Sequence, residues 1–460
     1  MKALDLGNKN VFSTVLKLTL PAMLAQFINV LYSVVDRMYV GNIAEIVDTV
    51  LAGVGVCAPI STLITSFAYL IGLGGAPLFA MSLGEGKEGS AKRILSNAFI
   101  ALAAIAVCVS VLMISLRRPL LMTFGASENT YAYAERYLVV CAAGAIFPIL
   151  ATGLNQFIVA QGYSGIGMAT TAIGAAANIA LDPLFIFVFD LDAAGAAGAT
   201  VISQFFSFAF VIVFLRLKNT KVRLTFAKPS FPVIGKTVKL GLSPFIIMAT
   251  DSVIIIVSNA VLQKYGGADG DMWITVSTVV QAFFSLISMP MMGISTGSQP
   301  VISYNYGAKN IPLIKKAEKI ILGMCLAFTC IMFALSFAVA APFVSLFTSD
   351  ARIAANSVWG IRVFMIGVIP LSFQYAFVDC LTALGQPQYS VVLSMFRKLI
   401  VYLGCTLILP ALLGAQAAFF AEPACDIAAA IVSTAVFLAV FPKVLKKRAA
   451  EGDKPHNDAE

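Results

Sequence analysis

The run NIALDPLFIFVF, residues 178–189, sets an asparagine and an aspartate four residues apart inside a long apolar segment. At that spacing Asn178 and Asp182 share one face of a helix. What such a pair does depends on the medium around it, and composition identifies the medium. The chain has 460 residues, of which 59% are hydrophobic and 12% charged, with a mean hydropathy of +0.91. Soluble domains hold roughly 45–50% apolar and about 25% charged residues. The excess is that of a membrane protein. A spanning helix needs about 20 mainly apolar residues. Twelve such runs occur, near 13–38, 51–80, 94–116, 132–160, 164–189, 194–216, 234–262, 273–303, 318–345, 353–384, 388–412 and 415–441. They are apolar all round and too long for the period-two strands of an outer-membrane barrel. The expected fold is an all-α membrane protein with twelve transmembrane helices.

The net charge of +8 does not point to nucleic acid, because the basic residues fall at helix ends. Arg216, Lys218, Lys221, Arg223, Lys228, Lys236 and Lys239 crowd residues 216–239 with no acid among them. Lys87, Lys92 and Arg93 follow the second span, Lys309, Lys315, Lys316 and Lys319 the eighth, and Lys443, Lys446, Lys447 and Arg448 the last. Alternate loops carry acids instead: Glu45 and Asp48, Asp190 and Asp192, Asp269 and Asp271. The positive-inside rule then puts both termini and the basic linker in the cytoplasm, with Arg117 and Arg118 as the exceptions. The start of the chain has no small-residue cleavage site after a short apolar core, so the first span is expected to be retained. The eight cysteines are scattered through apolar runs without metal-site or disulfide spacing and read as packing residues.

The chain is written twice. Shifted by 223 residues, Pro21 falls on Pro244, Pro77 on Pro300, Gly84 on Gly307, Pro119 on Pro342, Phe124 on Phe347 and Gly162 on Gly385; Asp36 falls on Asn259. One offset holding from the first span to the fifth defines two homologous halves of six spans. The expected organisation is a six-helix lobe over 1–216, a cytoplasmic linker over 217–233, a second six-helix lobe over 234–445 and a polar tail over 446–460. Six is even, so both halves enter the membrane in the same sense. Their pseudo-two-fold axis is expected along the membrane normal, as in parallel-repeat transporters, whose substrate sites lie at the repeat interface.

Three stretches carry a further signal: LPAMLAQFINVLYSVVDRMYVGNI (20–43), NIALDP (178–183), and GISTGSQPVISYNYGAKN (293–310), with its first-half counterpart GLGGAPLFAMSLGEGKEGSAKR (72–93). In this order they resemble the multidrug and toxic compound extrusion (MATE) family, in its bacterial MepA-type branch. The resemblance covers nearly the whole chain. It implies two lobes around a V-shaped cavity and export of organic, often cationic drugs, driven by inward H⁺ or Na⁺. The family's first-lobe cation site maps onto Asp36, Asn178, Asp182 and Thr200. Its helix-7 acid maps onto Asp251. Sodium-type members also use an acid in helix 10, the helix that holds Asp379.

The residues themselves support a cation-coupling cluster. An ionised carboxylate in hydrocarbon costs about 2.5–3.5 kcal/mol or more on insertion scales, so it persists only when paired, hydrated or protonated. With the expected topology Asp36, Asn178, Asp182 and Thr200 all lie in the outer half of their spans and can meet at one level. They offer only oxygens to a hard cation, and Asp36 and Asp182 are the metal-ligating candidates if the ion is Na⁺. Two close acids also favour proton exchange. A structural cluster, in which the amide and hydroxyl merely satisfy the acids, is the competing reading. The sole histidine, His456, is in the tail, so protons must ride on carboxylates.

Asp251 has three open readings: attraction of a cationic substrate, a second cation site, or an ion pair with Arg397. Asp379, Arg397, Glu422 and Asp426 form a candidate second-lobe charge network. Met289, Met291 and Met292 suit either a promiscuous apolar cavity or ordinary packing. The expected function is cation-coupled antiport of organic cations by a monomer in the cytoplasmic membrane, with no cofactor beyond the coupling ion and no nucleic-acid partner. A lipid-linked or polysaccharide flippase of the same superfamily is the alternative. No His, Ser or Cys constellation marks an enzyme.

Overall fold

The computed structural model describes residues 3–40, 47–124, 128–189, 192–217 and 220–450. Among them no β-strand occurs, and the chain is helical almost throughout. The first half runs through α1 (Val11–Val40), α2 (Val47–Gly84), α3 (Glu88–Ser115), the short α4 (Arg117–Thr123), α5 (Glu128–Ala143), α6 (Ile146–Ala160), α7 (Ser164–Pro183) and α8 (Asp192–Arg216). The second half holds α9 (Phe231–Gly266), α10 (Gly270–Gly307), α11 (Ile311–Val344), α12 (Ala351–Ala383), α13 (Pro387–Met395), α14 (Leu403–Leu413) and α15 (Ala421–Ala450). The fourth expected span is the pair α5 and α6, bent by 49°. The eleventh is α13 and α14, joined by a π-helical stretch at Phe396–Tyr402. A single 3₁₀ turn at Gly267–Asp269 separates the seventh span from the eighth. Counted this way, with Phe231–Gly307 divided at that turn, the described residues hold twelve membrane-length segments, as the apolar runs predict.

The chain packs into two compact units. The first comprises Met1–Ala3, Leu24–Ala76 and Lys92–Ile256. It contains the second half of α1, most of α2 and α3, the helices α4 to α8, and most of α9. Its linker is strapped down rather than loose. Asn97 Oδ1 accepts from the Ser230 amide at 2.6 Å, Arg93 Nη2 donates to Ser230 Oγ at 3.0 Å, and Gln161 Oε1 accepts from the Val222 amide at 2.9 Å. Val222 and Leu224 are buried while Lys221 and Arg223 between and beside them are exposed, so the linker alternates apolar-in and basic-out.

The second unit comprises Leu4–Met23, Pro77–Ala91 and Val257–Glu460. Its core is built by α10, α11, α12 and α15 around fully buried Val276, Ile287, Met291, Ile314, Val368 and Leu371. Phe377 and Phe437 stack at 4.2 Å between ring centres. The unit follows packing rather than the repeat, since it takes in the first half of α1 and the end of α2. α15 runs on to Ala450, and Arg448 near its end donates to the Tyr306 carbonyl at 3.0 Å and to Glu85. Burial works against ionisation of Glu85, but hydrogen bonds from Arg448 and Lys87 outweigh it and hold the carboxyl below its ordinary value.

One contact in this unit shows the duplicated sequence in three dimensions. A Cβ on Gly84 would stand 1.9 Å from the Tyr304 carbonyl oxygen, and a Cβ on Gly307 would stand 2.1 Å from the Met81 carbonyl oxygen. Gly84 and Gly307 are repeat mates, and so are Met81 and Tyr304. The two contacts are therefore reciprocal, as at an isologous interface. Only glycine allows backbones this close. We expect Gly307→Ala to lower the stability of the detergent-solubilised protein by about 1–3 kcal/mol, the usual cost of overpacking. Gly89→Ala has open space around its Cβ and serves as the control. Equal melting temperatures for the two variants would show that the contact yields without cost.

Candidate functional site

The first unit holds a buried polar cluster on α7 and α8. Asn178 is 1% and Asp182 0% exposed, and Thr200 is half-buried. Asn178 Nδ2 donates to Asp182 Oδ1 at 3.1 Å and to Thr200 Oγ1 at 3.4 Å. The amide thus sits between the two oxygens that flank it. Its own oxygen, Asn178 Oδ1, is buried with no hydrogen-bond partner among the described residues. Amide orientation is an assignment made on hydrogen bonds, and a half-turn of the group exchanges N for O. After that turn the cluster would present oxygens from Asn178, Asp182 and Thr200 to one point.

Local sequence explains the shape of this seam. Gly174, one turn before Asn178, lies against α8, where a Cβ would meet Ser207 Oγ at 2.4 Å. Ser207 Oγ in turn donates to the Thr170 carbonyl at 3.0 Å, and Ser203 Oγ to the Thr200 carbonyl at 2.7 Å. Pro183 ends the regular helix directly after Asp182, and a π-helical stretch follows over Leu184–Val188. A π-turn widens the helix and often accompanies functional positions. Asp36 falls near the end of α1, and its side chain lies outside the described residues. The structure therefore brings three of the four expected cluster residues together and leaves the fourth undescribed.

The remaining expected residues separate into distinct surroundings. Asp251 is half-buried on α9, next to Ser252, whose Oγ donates to the Pro59 carbonyl at 2.9 Å. Met291 is fully buried and Met292 is buried, both inside the second unit; Met289 is half-buried. Met291 Sδ accepts from Ser372 Oγ at 3.8 Å and packs in the core of the second unit.

The second-unit charges form two groups rather than one. Arg397, at 2% exposure, donates to Asp426 Oδ1 from Nη2 at 2.9 Å and from Nε at 3.2 Å, and to Glu422 Oε1 at 3.3 Å. The Cys425 thiol donates to the Arg397 carbonyl at 3.1 Å, and the Tyr375 ring lies 5.7 Å from the guanidinium. Buried Lys398 lies 5.3 Å from the Tyr402 ring centre. Arg397 and Lys398 both sit in the π-helical stretch of the eleventh span. Asp379 is apart from this group and accepts from Ser295 Oγ on α10. One residue escaped the sequence reading altogether: Glu318 on α11 is 4% exposed. Its signal was masked by Lys315, Lys316 and Lys319, which made the helix start read as a solvated basic face.

A duplicated helical half, twelve spans and acids held across helix seams define a two-repeat membrane transporter. The comparisons agree and add the family. Residues 21–184 and 245–407 each match the MatE family model, two blocks separated by the spacing of the internal repeat. The chain belongs to the MatE family. Multidrug export protein MepA of Staphylococcus aureus (strain MSSA476) is 25% identical over 432 residues, covering 92% of this chain and 93% of that protein. The fold matches a solved MOP superfamily transporter from Pyrococcus furiosus Vc1 (DSM3638) at a TM-score of 0.89 and 23% identity, over 97% of this chain and 99% of that one. It also matches a MATE structure in the bent conformation, at a TM-score of 0.85 and 22% identity, over 95% and 96% of the two chains.

The Arg397 group carries a stability prediction. Removing one partner of a buried ion pair leaves a charge uncompensated, at a cost of about 3–5 kcal/mol. Arg397→Met should therefore melt far below wild type in detergent. Adding Asp426→Asn and Glu422→Gln should recover most of the loss, because no bare charge remains. A triple variant no better than Arg397→Met would mean that the cation's packing, not its charge pairing, matters.

Proposed function

We propose that this chain is a cation-coupled exporter of small organic cations, working by alternating access in the cytoplasmic membrane with both termini on the cytoplasmic side. The observation that supports it best is the Asn178–Asp182–Thr200 cluster: a carboxylate, an amide and a hydroxyl gathered in a dry helix seam, with an amide oxygen free to turn inward. Such a set can take up H⁺ or Na⁺ and release it as the seam opens to water. Asp36 is the second acid of the cluster in this reading. Family membership supports the direction of the reading, since the MepA relatives are multidrug export proteins. Asp251 is assigned the attraction of cationic substrates and Met289 a flexible apolar contact for them. The chain acts as a monomer and as a carrier, not an enzyme.

Asn replaces an in-membrane acid with an amide that neighbours can satisfy, so insertion should survive. Asp36→Asn and Asp182→Asn should each give well-expressed protein that binds drug but exports none against a gradient. The double variant should be no worse than either single one, because the acids act as a unit. Efflux from proteoliposomes, with pH and Na⁺ gradients imposed separately, makes the measurement and also names the ion. Wild-type efflux from both variants would refute the coupling site, and loss of folded protein in both would make the cluster structural. Asp251→Asn should weaken export of cations more than of neutral compounds; equal effects on the two would leave Asp251 without a substrate role.

A further inference from the structure

The linker between α8 and α9 lies flat against the first unit, and its height along the helices shows what its outer face meets. Ser96 Oγ donates to the Thr225 carbonyl, and the Phe226 ring meets Phe99 of α3 edge-on, 5.8 Å between ring centres. Phe99 stands about 16 Å along α3 from Glu88, at a rise of ~1.5 Å per residue. It lies inside the apolar run that begins near residue 94, whereas Lys92 and Arg93 come just before that run. The Leu224 amide donates to the Leu215 carbonyl near the end of α8 at 2.9 Å, and Gln161 at the end of α6 holds the Val222 amide. The linker therefore does not hang away from the bilayer. It runs along the flanks of α3 and α8, at the level where hydrocarbon gives way to headgroups.

Two kinds of side chain point outward from it. Phe226 is 73% and Phe231 81% exposed, the rings of a segment whose Val222 and Leu224 are buried. Arg216, Lys221, Arg223, Lys228, Lys236 and Lys239 are exposed around them. The Arg216 guanidinium lies 5.5 Å from the centre of the Phe226 ring. No acid occurs in the sequence between Asp192 and Asp251. In plain water two bare phenylalanine rings on a fixed segment are unfavourable. At a membrane surface the same arrangement is favourable, because the rings enter the acyl layer while the long basic side chains reach the phosphates.

We propose that residues 216–239 form a binding site for anionic phospholipid of the leaflet they border. Lys221, Arg223 and Lys228 hold the headgroup phosphate, and Phe226 and Phe231 lie among the acyl chains. Polybasic segments beside a spanning helix attract anionic headgroups in this way. A soluble phosphate would use the cations and leave both rings in water, so the rings select a lipid. The hydrogen bonds from Ser96 and Arg93 and to Asn97 and Gln161 fix the segment beforehand, and a pre-ordered site loses little freedom when it binds.

The test needs neither drug nor gradient, so it stands whether or not the export reading holds. Native mass spectrometry follows the purified full-length protein as phosphatidylglycerol, or phosphatidylcholine with the same acyl chains, is titrated in. Wild type should bind phosphatidylglycerol more tightly. Combining Lys221→Gln, Arg223→Gln and Lys228→Gln should weaken phosphatidylglycerol on the order of tenfold or more and leave phosphatidylcholine unchanged. Phe226→Ser with Phe231→Ser should weaken both lipids, because the charges stay and the acyl contact goes. Combining Lys315→Gln, Lys316→Gln and Lys319→Gln removes the same charge from exposed positions on α11 and should change little. Equal losses from the two triple variants would mean that net charge alone draws the lipid, and would overturn the site. Displacement of the lipid by an equal concentration of glycerol phosphate would assign the cations to a soluble anion instead. Photoreactive phosphatidylglycerol gives a readout that needs no variant: it should label residues 216–239 of wild type, and labelling confined to other segments would refute the proposal.

Discussion

The cost of a bare charge away from water governs this structure. Each deep acid or base that the structure describes in detail is placed by that cost, and each is placed at a seam between helices. Arg397 is gripped by Asp426 and Glu422 across α15. Asp182 takes the Asn178 amide, which also reaches α8. Asp379 takes a hydroxyl from α10. A helix satisfies its own backbone internally, so these side-chain contacts are where polarity can join one helix to another. They contribute specificity of pairing more than net stability, because desolvation offsets much of the attraction in a buried ion pair.

Seams also need room, and two sequence devices provide it. Glycine removes the side chain where backbones nearly touch, as at Gly84 against Tyr304 and Gly307 against Met81. The π-turn does the reverse and spreads a helix so that a large side chain can be placed. One π-turn follows Asp182 in the fifth span and another holds Arg397 and Lys398 in the eleventh. The same span of each half carries the irregularity, at different heights.

Much of this was legible in the sequence, and for definite reasons. Twelve spans follow from apolar run length, which the bilayer fixes. The repeat follows from prolines and glycines at one offset, because those residues mark backbone positions that few others can fill. The family resemblance grouped Asn178, Asp182 and Thr200, and helical spacing and span direction supported the grouping because they fix height within a membrane. Other features were not legible. Arg397 had four candidate acids in nearby spans, and only packing chooses Asp426 and Glu422 among them. Glu318 hid among lysines, since periodicity says which face a residue occupies but not which face is covered. The strapping of the linker depends on Asn97, Arg93 and Gln161, far away in sequence and unremarkable by type.

The two halves have diverged at one seam in a way that separates their chemistry. With the offset of 223, Asn178 and Asp182 correspond to Val401 and Cys405, so the second half has no copy of the first cluster. Conversely, Arg397 corresponds to Gly174 and Asp426 to Ser203. Both seams are polar, but the second-half group stands one turn away from the first-half one along the same pair of helices. In the first half the position of the guanidinium is an absent side chain pressed on Ser207. In the second half the acids already hold a cation, and it is covalently attached. Asp426 and Glu422 already face the Arg397 guanidinium, whereas Asp182 accepts from the Asn178 amide, which also reaches the Thr200 hydroxyl. Duplication produced two equivalent helix pairs; substitution gave one a tethered guanidinium and the other, at the matching position, a glycine.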